Sequence, residues 1–437
     1  MPPRELPGFY FDAERNRYFP LTSRPPSSSG NNSPSVNLKP KVQDSKQFQP
    51  PRRRHALWTC PARETTSAGR TRETSAVRHL RLASTSRGCS ESVRWPFVGG
   101  GQRICAFKTT STRQFLGDAH GWLYSRVASL SSDLDSCDDM DRWTAWTPEL
   151  SLAPHSEISA LCTTSTRCVA VCFDVSTKIC VQDAEVPDRT QLLHLPTVRD
   201  VRAASLQGRA LVLGAADKAV LITDLDASNN AVRMLPTRSD VFTVAHQENL
   251  IYAGTRAGTV LRFDTRVNNS KGAQVLFESG GVAGRSSAVF AQPIHGGEQL
   301  VLGYMDGRLG TYDLRFARPA AQPVVTYAGH PSSLSCSGRL GLALDPSERF
   351  LFAAGADHRL RAWALNSGAP VVPPTGSGSP PPSPLPDNGD ALHKINPFAT
   401  LFTTPFVSLQ VVDADDGPGQ VLWACGGSEV WCWRLGL

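Results

Sequence analysis

The chain has 437 residues, with 45 Lys and Arg against 39 Asp and Glu, a formal charge of +6 and an ordinary share of apolar residues. That is enough chain for one large folded body with tails. No apolar run nears the ~20 residues that span a bilayer, and Met1-Pro2-Pro3-Arg4-Glu5 lacks the apolar stretch of a signal peptide. The expectation is a soluble intracellular protein of nucleus or cytoplasm, with no membrane partner.

Residues 1–20 close on Leu6-Pro7-Gly8-Phe9-Tyr10-Phe11-Asp12 and Asn16-Arg17-Tyr18-Phe19-Pro20, an aromatic motif with Asp12 and Asn16 as turn formers. Left exposed, so many rings would form an apolar patch, so a docking motif or a strap is expected. Residues 21–92 are expected to be a disordered, basic linker. Thr22 to Pro51 is rich in Ser, Pro and Asn and cannot build a core, and Arg52, Arg53, Arg54, Arg63, Arg70, Arg72, Arg78, Arg81 and Arg87 follow with few acids. No aromatics interleave with Arg52–Arg54 as stacking platforms, so the arm reads as solvated, with phosphate contact to nucleic acid the lesser alternative.

From Val93 short apolar runs alternate with Gly, Asp, Asn and Ser turns, as in an all-β array. They group into seven units of three strands. The first holds 104–107, 114–116 and 121–127; the second 158–163, 168–173 and 179–182. The third holds 201–205, 210–213 and 219–223; the fourth 241–245, 250–253 and 260–263. The fifth holds 288–292, 299–302 and 309–312; the sixth 340–344, 350–353 and 360–364. The seventh holds 406–411, 421–424 and 430–433. A Pro/Gly/Ser-rich insertion, 368–396, separates the last two and is expected to be a mobile loop.

A small residue precedes a bulky one by nine positions in unit after unit: Gly214 and Thr223, Gly254 and Phe263, Gly303 and Tyr312, Ala354 and Trp363, Ala424 and Trp433. A fixed offset recurring every 40 to 50 residues is the mark of WD-type blades. The fold expected is therefore all-β, a seven-bladed WD-type β-propeller over 93–437 with a disordered N-terminal arm. Trp433 lies in a third strand and only four residues follow it. An upstream segment, Val77–Ala83 or Val93–Val98, is thus expected to supply the outer strand that closes the ring.

Cys168, Cys172 and Cys180 have even spacings within strand text and read as small buried hydrophobes; no Cys-x-x-Cys or zinc-ligand spacing occurs. No phosphate-loop motif is present, and no cofactor is expected. Asp217, Asp306 and Asp357 each stand six residues before the bulky strand residue, in the turn between second and third strands. In WD-type blades such an Asp commonly accepts a hydrogen bond from a buried His, and His330 is the candidate partner of Asp357. A hydrolytic Ser-His-Asp reading is set aside for want of a nucleophile elbow, and no enzymatic activity is expected.

Two units end alike, Phe263-Asp264-Thr265-Arg266 and Tyr312-Asp313-Leu314-Arg315. An Arg just past the third strand sits on a flat face of the disk, where its planar fork can pair with a partner. The stretch Leu300 to Arg315 resembles the sixteen-residue box, ending in Trp-Asp-x-Arg, of cullin-4 ligase substrate receptors. The N-terminal phrase Leu6 to Asp12 with Asn16 to Phe19 resembles the opening of one branch of the WD-repeat cullin-4-associated factor family. The resemblance implies that the box docks on the damaged-DNA-binding adaptor of the ligase. Asp306 and Asp313 would order turn and strand end, Tyr312 would stand for the usual Trp, and Arg315 would make the contact. The fourth-unit copy carries Asp264 and Arg266 but has Ala257 where the turn Asp is expected. The function implied is a non-catalytic receptor, monomeric within its complex, that presents an unnamed substrate for ubiquitination. The alternative is a WD-repeat scaffold in another nuclear assembly such as RNA processing or chromatin.

Overall fold

The computed structural model describes residues 9–12, 17–20, 82, 87–93, 103–128, 145–184, 186, 189–227, 231–267, 273–280, 285–331, 339–372, 396–414 and 419–435. The basic arm expected between residues 21 and 81 lies outside them. The chain divides into two units, Met1–Arg70 and Thr71–Leu437. In the first, β1 (Phe9–Asp12) and β2 (Arg17–Pro20) form an antiparallel hairpin in which Phe9 faces Pro20 and Asp12 faces Arg17 across the ladder.

The second unit is an all-β, seven-bladed propeller. It opens with β3 (Arg87–Ser92), whose partner is the last strand of the chain. Blade 1 holds β4 (Ile104–Thr109), β5 (Arg113–Asp118), β6 (Trp122–Val127) and β7 (Thr147–Ser151). Blade 2 holds β8 (Ile158–Thr163), β9 (Arg167–Cys172), β10 (Thr177–Asp183) and β11 (Thr190–Leu195). Blade 3 holds β12 (Ala203–Gln207), β13 (Ala210–Ala215), β14 (Lys218–Ile222) and β15 (Val232–Pro236). Blade 4 holds β16 (Val241–Gln247), β17 (Leu250–Thr255), β18 (Thr259–Asp264) and β19 (Gln274–Glu278). Blade 5 holds β20 (Ala288–Ile294), β21 (Gln299–Tyr304), β22 (Leu309–Asp313) and β23 (Val325–Thr326). Blade 6 holds β24 (Leu342–Leu344), β25 (Phe350–Ala354) and β26 (Leu360–Ala364). Blade 7 holds β27 (Ser408–Asp413), β28 (Gln420–Gly426) and β29 (Glu429–Leu435), with β3 as its outer strand.

The ring closes in two ways. β3 pairs antiparallel with β29, placing Gly88 opposite Trp433 and Ser92 opposite Glu429. The innermost strands β27 and β4 are also stitched together. Gln410 accepts from the Thr109 N–H and donates to the Thr109 carbonyl, both at 2.9 Å, and Ser408 Oγ donates to the Phe107 carbonyl at 3.1 Å. The closing strand lies between the two segments that the sequence nominated. Leu82, in the first of these, is a helical residue buried in the core of blades 6 and 7 with Trp431 and Trp433. Val93, in the second, is a buried core residue just past the strand.

Packing between blades explains the recurrent small residue. A Cβ on Gly254 would come within 2.6 Å of the Thr243 methyl and 3.0 Å of Ala288, the first residue of the next blade. One on Gly117 would meet Ile158, the first residue of β8, at 2.5 Å. Each marks the point where a second strand abuts the next inner strand. In blades 4, 6 and 7 the bulky residue nine positions on is buried (Phe263, Trp363 and Trp433), whereas Tyr312 is half-buried and Thr223 is exposed. Cys168, Cys172 and Cys180 are buried in the core between blades 1 and 2, as the strand pattern predicts. The outer strands β7, β11, β15, β19 and β23 were not foreseen. β11 shows why: it is exposed or half-buried at every position, so no apolar rhythm announces it.

Two further differences from the sequence reading concern blade 6. The expected insertion begins with residues that are part of the sheet: Pro370 bridges Trp363, and the Val371 N–H donates to the Ala362 carbonyl at 2.8 Å. At its far end Phe398 stacks on Phe352. Residues 373–395 lie outside the described residues. Nor does His330 bond Asp357. Both Asp357 oxygens are taken by Arg361, at 2.9 and 2.5 Å, while His330 sets its ring edge-on against Trp363. An Arg four positions along reaches Asp357 as a two-toothed fork, and a partly buried neutral imidazole cannot match that.

Candidate docking site

The two repeated motifs fall at equivalent places in adjacent blades. β18 ends at Asp264 and β22 at Asp313, and in both the chain turns at once. The turn forms because Asp caps it. Asp313 Oδ1 accepts the Arg315 main-chain N–H at 2.9 Å, starting a 3-10 turn over Leu314–Phe316. Asp264 Oδ1 accepts the Arg266 N–H at 3.0 Å in the same manner.

Each Arg then folds back on its own Asp. Arg315 gives Nε to Asp313 Oδ1 (3.0 Å) and Nη2 to Oδ2 (2.8 Å); Arg266 gives Nε to Asp264 Oδ1 (2.9 Å) and Nη2 to Oδ2 (2.6 Å). These bonds hold the Asp264 carboxyl down to about 2, and they lower that of Asp313 through the same side-chain bond from Arg315. Both guanidinium groups are raised in turn by their carboxylates. The Arg side chains remain 67% and 56% exposed for residues 266 and 315, so the pose is fixed while the outer edge of the fork faces solvent. Glu298 stands 3.6 Å from Arg315 Nη1.

The surroundings hold the loops in place. The Leu314 N–H donates to the Glu298 carbonyl and the Thr265 N–H to the Asn249 carbonyl, tying each third-strand end to the first-to-second-strand turn. Arg233 of blade 3 donates to the carbonyls of Thr265 (2.8 Å) and Val267. Blade 3 has the same Asp turn, Asp224 Oδ1 accepting the Asp226 N–H at 2.9 Å, but its fourth position is acidic. Asp226 is gripped by Arg167 at 2.9 and 3.2 Å and approached by Arg209 at 3.2 Å. Hydrogen bonding from Arg167 lowers its carboxyl. The exposed fork is thus a property of blades 4 and 5.

Tyr312 is half-buried, tilted against Phe277 with ring centroids 4.8 Å apart. Asp306 is not beside Arg315. It lies at the opposite end of β22, where it shapes the turn by accepting from Arg308 N (3.1 Å) and Nε (2.7 Å). Sequence reasoning passed over two exposed apolar side chains, Phe316 (73% exposed) and Val267 (45%), each directly after its Arg. Their signal was a large apolar residue beyond the end of a strand, where packing does not need one. Among the described residues no His, Cys, Asp or Glu cluster suits a metal ion, and no helix is long and apolar enough to cross a membrane.

No family model matches the chain. Over 171 residues, 38% of this chain and 38% of the relative, it is 24% identical to WD repeat-containing protein 21 of Schizosaccharomyces pombe. Over 122 residues, 28% of this chain and 20% of the relative, it is 31% identical to the uncharacterized WD repeat-containing protein F47D12.9 of Caenorhabditis elegans. The matches therefore span well under half the length of these relatives. The crystal structure of the computationally designed Ika8 protein is similar over 76% of this chain and 83% of that one, at 17% identity and a TM-score of 0.47. Over these stretches the chain is similar to WD repeat-containing proteins.

Proposed function

We propose that this propeller is a substrate receptor of a cullin-4 ubiquitin ligase, docked on the ligase adaptor by blades 4 and 5. WD-repeat propellers generally bind proteins and are usually non-catalytic, and rigid repeated loops on one face suit that use. The observation that carries the finer reading is the pair of Asp-held guanidinium forks, Arg266 and Arg315, in one pose on neighbouring blades. Each is followed by an exposed apolar residue. A cation fixed in advance loses little freedom on binding, and an apolar neighbour that is desolvated beside it supplies affinity. The work of such a receptor is positional. It raises the effective concentration of a target near the ubiquitin-charged enzyme and performs no bond chemistry itself.

The test is capture of the purified adaptor by the full-length protein and by Arg266→Ala, Arg315→Ala and the double variant. Loss of capture in the double variant supports the reading. Equal capture by all four proteins, or none by the wild type, leaves a WD-repeat scaffold of another assembly.

A further inference from the structure

The seam that closes the ring brings two cysteines together. β3 and β29 come from the two ends of the propeller chain, and their ladder sets Cys89 directly opposite Cys432. Among the described strands no other two cysteines face each other. Cys425 faces Ser408 on one side and Val430 on the other, Cys180 faces Ala170 and Leu192, and Cys105 falls in the register shift of β4 and faces nothing. The one opposed pair therefore lies where the first and last strands of the propeller meet.

The register suits a bridge. Opposed residues of an antiparallel ladder stand about 4.5–5.5 Å apart at Cα and share one face of the sheet. A disulfide spans about 4.4–6.8 Å between Cα atoms, so the pairing falls inside its reach. The Cys432 thiol is buried in the core between blades 7 and 1, while its neighbours Trp431 and Trp433 turn to the core between blades 6 and 7. Val93 belongs to the same core as Cys432, and its N–H donates to the Ser428 carbonyl at 2.8 Å, which carries the ladder one residue past β3. Val93 stands four positions after Cys89, so strand alternation puts both positions on the blade 1 side. β3 is held by main-chain pairing along Arg87–Ser92 and not by an apolar rhythm. Local opening of such a strand is the event that admits a small oxidant to a buried thiol.

We propose that Cys89 and Cys432 form an oxidation-triggered latch, which a hydroperoxide closes into a disulfide and a dithiol reductant reopens. One thiolate attacks the peroxide, the O–O bond breaks, and a sulfenic acid is left on that cysteine. The second thiol attacks the sulfenic sulfur, and water leaves as the S–S bond forms. In sum two S–H bonds and the O–O bond break, one S–S and two O–H bonds form, and hydrogen peroxide becomes two waters by taking two electrons from the sulfurs. Reopening returns two electrons and two protons from the dithiol, which becomes a disulfide itself. The closed latch joins the first strand of the propeller to the last, so all seven blades lie within one covalent loop. That loop removes freedom from the unfolded chain and keeps the seam from opening. In a reducing compartment the latch stays open until an oxidant arrives. It stands whether or not blades 4 and 5 dock a ligase adaptor.

The experiment treats the folded full-length chain with hydrogen peroxide, blocks the remaining thiols with iodoacetamide, and maps the disulfides by mass spectrometry of a non-reducing digest. A peptide linking Cys89 to Cys432 within one molecule should appear, and should vanish after dithiothreitol. Oxidised wild type should melt about 5 °C or more above its reduced form. Cys89→Ala should yield no such peptide and no such rise. Where Cys89→Ala does not fold, Cys432→Ala takes its place, and the mapping in wild type needs neither variant. Absence of the linked peptide overturns the proposal, as does a disulfide from either cysteine to a different partner or to a second molecule. A linkage that leaves the melting temperature unchanged overturns it too, since a latch must hold the ring, and so does an equal rise in Cys89→Ala.

Discussion

Arg315 is held by Asp313 through three hydrogen bonds of 2.8 to 3.0 Å, one from its main chain and two from its guanidinium. The carboxylate takes one edge of the fork and turns the other outward, and Asp264 does the same for Arg266. Asp here positions, and Arg contacts. A partner that binds this face meets a cation already in place.

Replacing the contact and replacing its support should therefore differ in degree. We expect Arg315→Ala to weaken adaptor binding about tenfold or more, as loss of an interface anchor does. Asp313→Ala, which leaves the Arg present but unheld, should give a smaller loss. Surface plasmon resonance against immobilised adaptor checks the ranking. The Arg315→Ala melt should match wild type, since the Arg is exposed, whereas Asp313→Ala removes the cap of the turn and should cost about 0.5–2 kcal/mol. An Asp313→Ala loss equal to or greater than that of Arg315→Ala would mean that the carboxylate itself touches the partner.

Phe316 gives a separate reading of the same surface. With 73% of it exposed, Phe316→Ser removes little packing from the fold. Solubility should rise and the melting temperature should hold, while adaptor affinity drops about tenfold if the ring is buried at the interface. Unchanged affinity would place the docking surface nearer to blade 4 and Val267.

How much was readable beforehand follows from what each feature asks of its residues. The second strand of each blade is buried on both faces, so the sequence shows unbroken apolar runs such as Leu250–Ala253. The offset between Gly254 and Phe263 was visible because both ends of it are fixed by packing between sheets. β3 was misplaced by a few residues because Arg87–Ser92 carries no apolar alternation, and backbone pairing with β29 alone defines it. Asp357 was given the wrong partner, since sequence spacing does not reveal that Arg361 outcompetes His330. The Asp-x-Arg turns were legible as a pattern, whereas the outward pose of the fork needed coordinates.

The closing segment makes a stability prediction. Leu82 is fully buried among Phe350, Phe402, Trp431 and Trp433, so Leu82→Ala should cost about 2–5 kcal/mol. Deleting residues 82–92 should cost more, because β29 would then expose an unpaired edge. Chemical denaturation measures the first. Light scattering measures the second as self-association, and a monodisperse deletion variant as stable as wild type would remove β3 from the closure.

His330 gives the pH dependence. Its Nδ1 is buried without a hydrogen-bond partner among the described residues. Burial, helped by the Arg361 guanidinium and opposed by Asp357, lowers its pKa from 6.5 to about 4. In the unfolded chain the ring takes up its proton near pH 6.5; in the folded protein it waits until about pH 4. Between those values the unfolded state binds the extra proton, so stability falls as the pH drops through this window and is unaffected above it. The loss should reach about 1–3 kcal/mol by pH 4, allowing for the partial exposure of the ring. Other groups titrate over the same range, so the informative quantity is the difference between wild type and His330→Phe, a ring that cannot take up a proton. Urea unfolding at pH 7.5, 6, 5 and 4 should show the two curves separating as the pH falls, with wild type losing more. Parallel curves would mean that the imidazole titrates alike in both states, and the neutral, desolvated His330 would then be wrong.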